Sequence, residues 1–238
     1  MIAQPVLADT HITYPESDGQ PMADNTQQFR WIVTLHGGLT ALLRDTPNVF
    51  VAGDLLWYPV EGRPDLRCAP DVMVVFGRPP KDRGSYLQWQ EDDIAPQVVF
   101  EIISPGNTFA EMKRKFKFYE QYGVAEYYLY DPDTGELEGW QRAGDALTRI
   151  ESMRGWISPR LKIRFELLDN ELHIYHPDGQ PFVTYEELAA QLSDAEDRAA
   201  EAEDRAADAE DRAAREHQRA ERLSAQLRAL GIEPTKFE

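Results

Sequence analysis

Apolar residues recur at three- and four-residue steps between Asn25 and Leu43, at Phe29, Ile32, Val33, Leu35 and Leu39, and predict an amphipathic helix. Asp24 or Asn25 stands where an N-cap belongs. Gly37-Gly38 weakens the middle of this helix by about 1 kcal/mol per glycine, so the pair predicts close packing, a bend or a break. The pattern then changes to continuous apolar runs. Val49–Pro59, Pro70–Phe76, Gln97–Ile103 and Glu126–Tyr130 read as strands, and Gln97–Ile103 is apolar on both faces, as a central strand is. A second helix is expected over 108–122, with Phe109, Met112, Phe116 and Tyr119 as its buried stripe and Gly123 as its stop. Shorter strands follow over 137–141 and 147–151, and 164–168 with 171–175 form a hairpin about Asp169-Asn170. The polar connection from Gly77 to Ala95 exceeds the usual loop length, which often marks a functional loop.

After Thr184 the chain changes character. Thr184-Tyr185-Glu186-Glu187 is a capping box. Three nearly verbatim heptads follow, starting at Ala195, Ala202 and Ala209. A 4-3 seam runs Leu188, Leu192, Ala195, Ala199, Ala202, Ala206, Ala209, Ala213, Glu216, Ala220, Leu223, Leu227, Leu230, the mark of a coiled coil. Gly231 and Pro234 end it, and at 1.5 Å per residue the helix reaches about 65–70 Å. Alanine buries little area, so the leucine-bearing ends are expected to contribute most to self-association; a solvated single helix held by Glu/Asp-to-Arg pairs is the alternative.

The 238 residues, 42% hydrophobic, divide into an arm (1–20), one α/β (α+β) domain (21–183) with a real core, a coiled-coil helix (184–231) and a tail (232–238). Cys68 is the single cysteine, which excludes an intrachain disulfide or thiolate zinc site and suits a reducing cytoplasm. The N-terminus lacks the basic flank and apolar core of a signal peptide, and no stretch approaches a membrane span, so a cytoplasmic protein away from membranes is expected. A net charge of −17 argues against a protein that coats nucleic acid by global attraction. Many of the acids lie in the last fifty positions, so a local basic cleft is still allowed.

Two acids break into the strand runs about 30 residues apart: Asp71 in Ala69-Pro70-Asp71-Val72-Met73-Val74, and Glu101 in Val98-Val99-Phe100-Glu101-Ile102-Ile103. A carboxylate there is costly unless a cation compensates it, and two converging from neighbouring strands make an oxygen site for a hard divalent ion. Phosphodiester hydrolysis adds the need for a nearby lysine. Lys113 and Lys115 border the stripe of the second helix on opposite sides, and periodicity does not choose between them. Lys115 could equally pair with Glu111 on the surface. Asp54 is a further acidic candidate, Asp24 and Gln28 could touch the site, and Tyr119 reads as core. Arg78, Lys81 and Arg83, near Tyr86 and Trp89, could contact a nucleic-acid backbone or belong to an ordinary solvated loop. His173 and His176 fall on opposite faces of a strand, and His36 reads as structural. His11 and His217 lie in the arm and the coil, and Cys68 reads as a small half-buried residue.

Together, Pro70-Asp71, Pro96-Gln-Val-Val-Phe-Glu101-Ile-Ile-Ser-Pro-Gly-Asn-Thr108, Lys115-x-x-x-Tyr119 and Tyr122-Gly-Val-Ala-Glu126-Tyr-Tyr-Leu-Tyr-Asp-Pro132 resemble a bacterial family of restriction-endonuclease-like proteins of unknown function, within the Asp…(Asp/Glu)-x-Lys nuclease superfamily. The resemblance covers about residues 22–180 and implies a central mixed sheet flanked by helices, with the site at one end of the sheet. It implies that Asp71 and Glu101 bind a metal, Mg²⁺ or in its place Mn²⁺, and that Lys115 serves the nucleophile. The superfamily's lysine normally stands two residues after the second acid, where this chain has Ile103, and Lys115 matches a lysine displaced onto the following helix. The implied function is a Mg²⁺-dependent endonuclease hydrolysing phosphodiester bonds in DNA. The alternative is a catalytically silent interaction protein that assembles through the coiled coil.

Overall fold

The computed structural model describes residues 12–231. The first eleven residues, with His11, and residues 232–238, with Pro234, lie outside this range. The chain divides into two compact units, 1–184 and 185–238.

The first unit opens with α1 (Thr26–Leu43), where Asn25 Oδ1 accepts the Gln28 N–H at 2.8 Å. Then come β1 (Val49–Gly53), β2 (Trp57–Tyr58), β3 (Val72–Phe76), β4 (Tyr86–Leu87) and β5 (Val98–Ile102). α2 (Phe109–Gln121) follows, capped by Thr108, and after it β6 (Glu126–Asp131), β7 (Glu136–Ala143), β8 (Ala146–Arg149), β9 (Arg164–Leu168) and β10 (Glu171–Tyr175). Six strands form a mixed sheet in the order β1-β3-β5-β6-β7-β8. Only β5 and β6 run parallel within it, because α2 lies between them in sequence and carries the chain back to the starting edge. β9 and β10 make a separate hairpin whose turn residues, Asp169 and Asn170, both have positive φ, 51° and 61°.

Alternation along the strands sorts the core into two layers. Val72, Val74, Val98, Phe100 and Ile102 pack with Ile32, Leu35 and Leu39 of α1 and with Phe165 and Ile174 of the hairpin. Met73, Val75, Val99 and Tyr127 pack with Trp57, Tyr86 and Tyr119, on the α2 side. At the C-terminal end of α2, Arg142 donates to the Tyr119 and Glu120 carbonyls, 3.2 and 2.6 Å away, and supplies the partners that a helix end lacks.

Several sequence expectations need correction. In α1 the buried stripe is Gln28, Ile32, Leu35 and Leu39, while Phe29 is 50% and Val33 39% exposed. The sheet contacts one line of a helix that carries apolar residues on more than one side. In α2, Phe109 is 85% exposed, since the first turn projects past the layer that Tyr119 enters. The run Val49–Pro59 is two strands, broken at Asp54, whose φ is 47°. α1 passes through Gly37-Gly38 without a break, and Gly38 is the point of close packing: a Cβ there would run into the Phe182 ring.

The Gly77–Ala95 connection is braced from within. Glu91 is buried and accepts from Arg78 Nε at 2.7 Å and Arg83 Nε at 2.9 Å, with Lys81 Nζ at 3.4 Å. The Arg83 guanidinium also lies 4.0 Å over the Phe50 ring. These arginines are committed internally and hold the loop down. Part of the arm packs here too, with Tyr14 against Trp89 at 4.9 Å and Tyr58 Oη donating to the Pro15 carbonyl at 2.7 Å.

Among the described residues the second unit is one helix, α3 (Tyr185–Ala229), with no buried residue. It starts directly after Thr184 and ends before Gly231, whose φ is 77°. Among the described residues no helix is long and apolar enough to cross a membrane.

Candidate active site at the sheet end

The site forms where β1, β3 and β5 end together. The β1–β3 register pairs Gly53 with Val72, and the β3–β5 register pairs Val72 with Phe100. One step further along both ladders brings Asp54, Asp71 and Glu101 to adjacent positions on three neighbouring strands. Asp71 and Glu101 share the face of Met73 and Val99, the α2 side. Both are buried, 7% and 2% exposed.

Each carboxylate is held by named donors. Asp71 Oδ2 accepts the Ile102 N–H at 2.6 Å. Glu101 Oε2 accepts from Lys115 Nζ at 2.7 Å, and Glu101 Oε1 accepts from the Tyr119 hydroxyl. Lys115 Nζ also reaches the Ala69 carbonyl at 3.4 Å. That carbonyl is in range because Trp57 and Cys68 exchange backbone bonds of 2.8 and 3.2 Å, which pull the returning 59–70 loop against the sheet. Lys115 therefore does not pair with Glu111, and Lys113 on the other border of the helix is exposed.

The electrostatics follow from burial. Burial first, then the charge of Glu101, pushes Asp71 up to about 8, against the pull of Lys115 and the Ile102 N–H. Asp54 rises to about 6, from burial and then the charge of Asp18. Burial alone would lower the Lys115 amine, but the negative charge of Glu101, foremost among its neighbours, outweighs this and holds it above the usual lysine value. Lys115 is thus a fixed ammonium. Burial raises the Cys68 thiol to about 12, so it is neutral at physiological pH, and its Sγ lies 3.2 Å from the Tyr119 hydroxyl. Tyr119 is core, as expected, and its hydroxyl also orients Glu101.

Asp71, Glu101, Lys115 and Cys68 line a cavity of about 770 Å³, together with Asp24, Gln28 and Asp54. Gln28 is buried and bridges Asp24 N, which donates to its Oε1 at 2.8 Å, and the Ile102 carbonyl, which accepts from its Nε2 at 3.0 Å. It ties α1 to the strand of Glu101. A glutamine on the buried stripe was the available sequence signal for this role. Arg67 and Arg114, which no motif marked, also line the cavity, and neither makes an ion pair within 4.0 Å among the described residues. His36 is half-buried on α1, and burial lowers its pKa.

Among the described residues no group of three or more His, Cys, Asp or Glu side chains converges as a self-sufficient metal cage. Mg²⁺ does not require one: it is commonly held by one or two carboxylates, water and substrate phosphate. The donor set fits that economy. Among the described residues Asp71 Oδ1 receives no hydrogen bond, and Asp71 lines the cavity next to Glu101.

A mixed sheet flanked by helices, with two carboxylates and a lysine at one end, has the form of a restriction-endonuclease-like protein. The chain belongs to the Uma2 family, described as "Putative restriction endonuclease", whose profile matches residues 8–161. Family membership supports a nuclease function in general terms. Among solved structures, the chain is similar to a "putative nuclease belonging to DUF820" from Anabaena variabilis at 15% identity and a TM-score of 0.44, over 58% of this chain and 74% of that one. No curated protein matches it.

Proposed function

We propose that the protein is a Mg²⁺-dependent endonuclease that hydrolyses phosphodiester bonds in DNA, with Mn²⁺ able to substitute. The observation that carries this reading is the Lys115–Glu101 contact of 2.7 Å beside Asp71 at the floor of a solvent-open cleft. Asp71, through Oδ1, and Glu101 would hold the ion. Bound there, a divalent cation supplies Lewis-acid stabilisation of phosphoryl charge and a lowered pKa for the attacking water. Lys115 stays protonated and presents a fixed positive charge to the nucleophile and the phosphate, with no reorganisation as charge develops. Tyr119 keeps Glu101 in place, and Gln28 fixes the strand end.

Seven carboxylates but only three cationic side chains line the cleft, so an unaided phosphodiester would be repelled. Arg67 and Arg114, free of carboxylate partners among the described residues, are suited to the phosphates flanking the scissile one. The same reading includes self-association through residues 184–231, motivated by the exposed leucines of α3.

The test is cleavage of supercoiled plasmid and of a matched RNA, with Mg²⁺ or Mn²⁺, by wild type and by Glu101→Gln. Metal-dependent nicking of DNA that Glu101→Gln abolishes supports the reading. Equal rates for both proteins remove the mechanism, RNA-only cleavage moves the substrate class, and no cleavage with no metal-binding heat favours a silent scaffold.

A further inference from the structure

α3 carries charge in an order that the capping and seam arguments do not use. With Leu188 and Leu192 at successive d and a positions, the e positions of the central heptads are Glu196, Glu203 and Glu210. The g positions are Arg198, Arg205, Arg212 and Arg219. The seam leucines are 36% to 75% exposed. Within the helix, Arg198 and Arg205 donate through Nε to the carbonyls of Asp194 and Glu201, at 3.0 and 3.1 Å. Within α3, Arg212 pairs with Asp208 at 4.0 Å and His217 Nε2 lies 3.5 Å from Glu221. Among the described residues none of the e-position glutamates is committed to such a pair.

We propose that α3 forms a parallel, in-register, two-stranded coiled coil with a second copy of this chain. The proposal rests on the self-association reading and is independent of the nuclease chemistry. In a parallel pair, each g position faces the e position of the next heptad on the other strand. Arg198 then faces the partner's Glu203 and Arg205 faces the partner's Glu210, and symmetry doubles both contacts. In an antiparallel pair g faces g and e faces e, so arginines meet arginines and glutamates meet glutamates. The apolar seam does not distinguish the two, because leucines stand at both ends; the charge order does.

Register is set at the ends. The central heptads are so alike that a slip of seven residues costs little there. The same slip would place Leu223 against Glu216 and Leu192 against Ala199, and would lose the leucine layers. Glu216 is the ionisable residue of the seam, and in register it meets its own copy. Arg212 and Arg219 at the flanking g positions supply cations to that layer, and a polar seam residue sets alignment at some loss of stability. In this arrangement both folded domains join the coil at the same, N-terminal end.

Sedimentation equilibrium on the full chain, with disulfide trapping at two seam positions, tests this. The expected mass is twice 27.2 kDa. Leu227→Cys and Leu188→Cys should each give a covalent dimer under mild oxidation, above the background that Cys68 gives in wild type. Mixed together, they should give no 188–227 product. Replacing Glu196, Glu203 and Glu210 by arginine should weaken association at least about tenfold, and Glu216→Leu should strengthen it. A monomer at about 100 µM chain, or an abundant 188–227 product, overturns the proposal. Because these readouts need neither metal nor DNA, their failure is distinct from absence of cleavage.

Discussion

Lys115 Nζ stands 2.7 Å from Glu101 Oε2 although fourteen positions and a change from strand to helix separate the two residues. A lysine at position 103 would share Glu101's face of the strand, but Ile103 is there, half-buried, and its N–H is used by the Tyr130 carbonyl at 2.8 Å. The cation reaches the same carboxylate from α2. The charge beside Glu101 is carried by the helix and not by the strand.

If that substitution of origin is functional, Lys115→Met should lower single-turnover cleavage by about 10²–10³-fold while Mg²⁺ affinity changes little. Adding Ile103→Lys to that variant restores a cation from the strand and should recover part of the rate. Full activity in Lys115→Met would remove Lys115 from the mechanism.

Asp71→Asn should eliminate the calorimetric heat of Mg²⁺ binding, since the open Oδ1 lone pair loses its charge and the Ile102 N–H keeps its acceptor. The fold should survive, because the amide oxygen still accepts that bond. Unchanged binding would move the ion away from Asp71.

Metal binding should depend on pH with a defined sign. Asp71 has a folded pKa of about 8, above its unfolded value near 4. Between those values the metal-free folded chain binds the extra proton, so its stability falls as pH rises through this window. A divalent cation competes with that proton. Mg²⁺ should therefore bind more tightly at about pH 8.5 than at about pH 6, with proton release into the buffer. A thermal shift by Mg²⁺ that is flat across this range would count against the site.

Glu91→Gln should destabilise the domain by about 1–3 kcal/mol, since Arg83 would lose its carboxylate partner while Arg78 would keep Asp92. Urea unfolding reads this directly. Hydrogen bonding from Arg83, foremost, holds Glu91 down to about 2, so its stabilisation is present above its unfolded pKa near 4.3 and is lost as pH falls through 2. Cleavage per folded molecule should not change, because the brace is apart from the cavity lining.

The elements were legible where periodicity and punctuation agree. Asn25 and Thr108 cap the two helices, Gly123 at φ 92° stops the second, and Asp169-Asn170 turns the hairpin, all from local rules. The residues misjudged from sequence, Phe29, Val33 and Phe109, are apolar side chains on helix surfaces that the sheet does not cover. Periodicity ranks helix faces by composition, while burial depends on which face meets another element.

The sequence by itself determined the strands that carry Asp71 and Glu101, the heptads of α3 and a choice of two lysines. Those properties are local, set by backbone period and side-chain type within a few residues. Only the tertiary structure decided that Lys115 and not Lys113 meets Glu101, and that Tyr119 and Gln28 support the site. It alone showed Arg78 and Arg83 spent on Glu91. Each of these is a contact between distant positions, fixed by strand order and by how a helix rolls on its sheet, and neither is written in the spacing of residues along the chain.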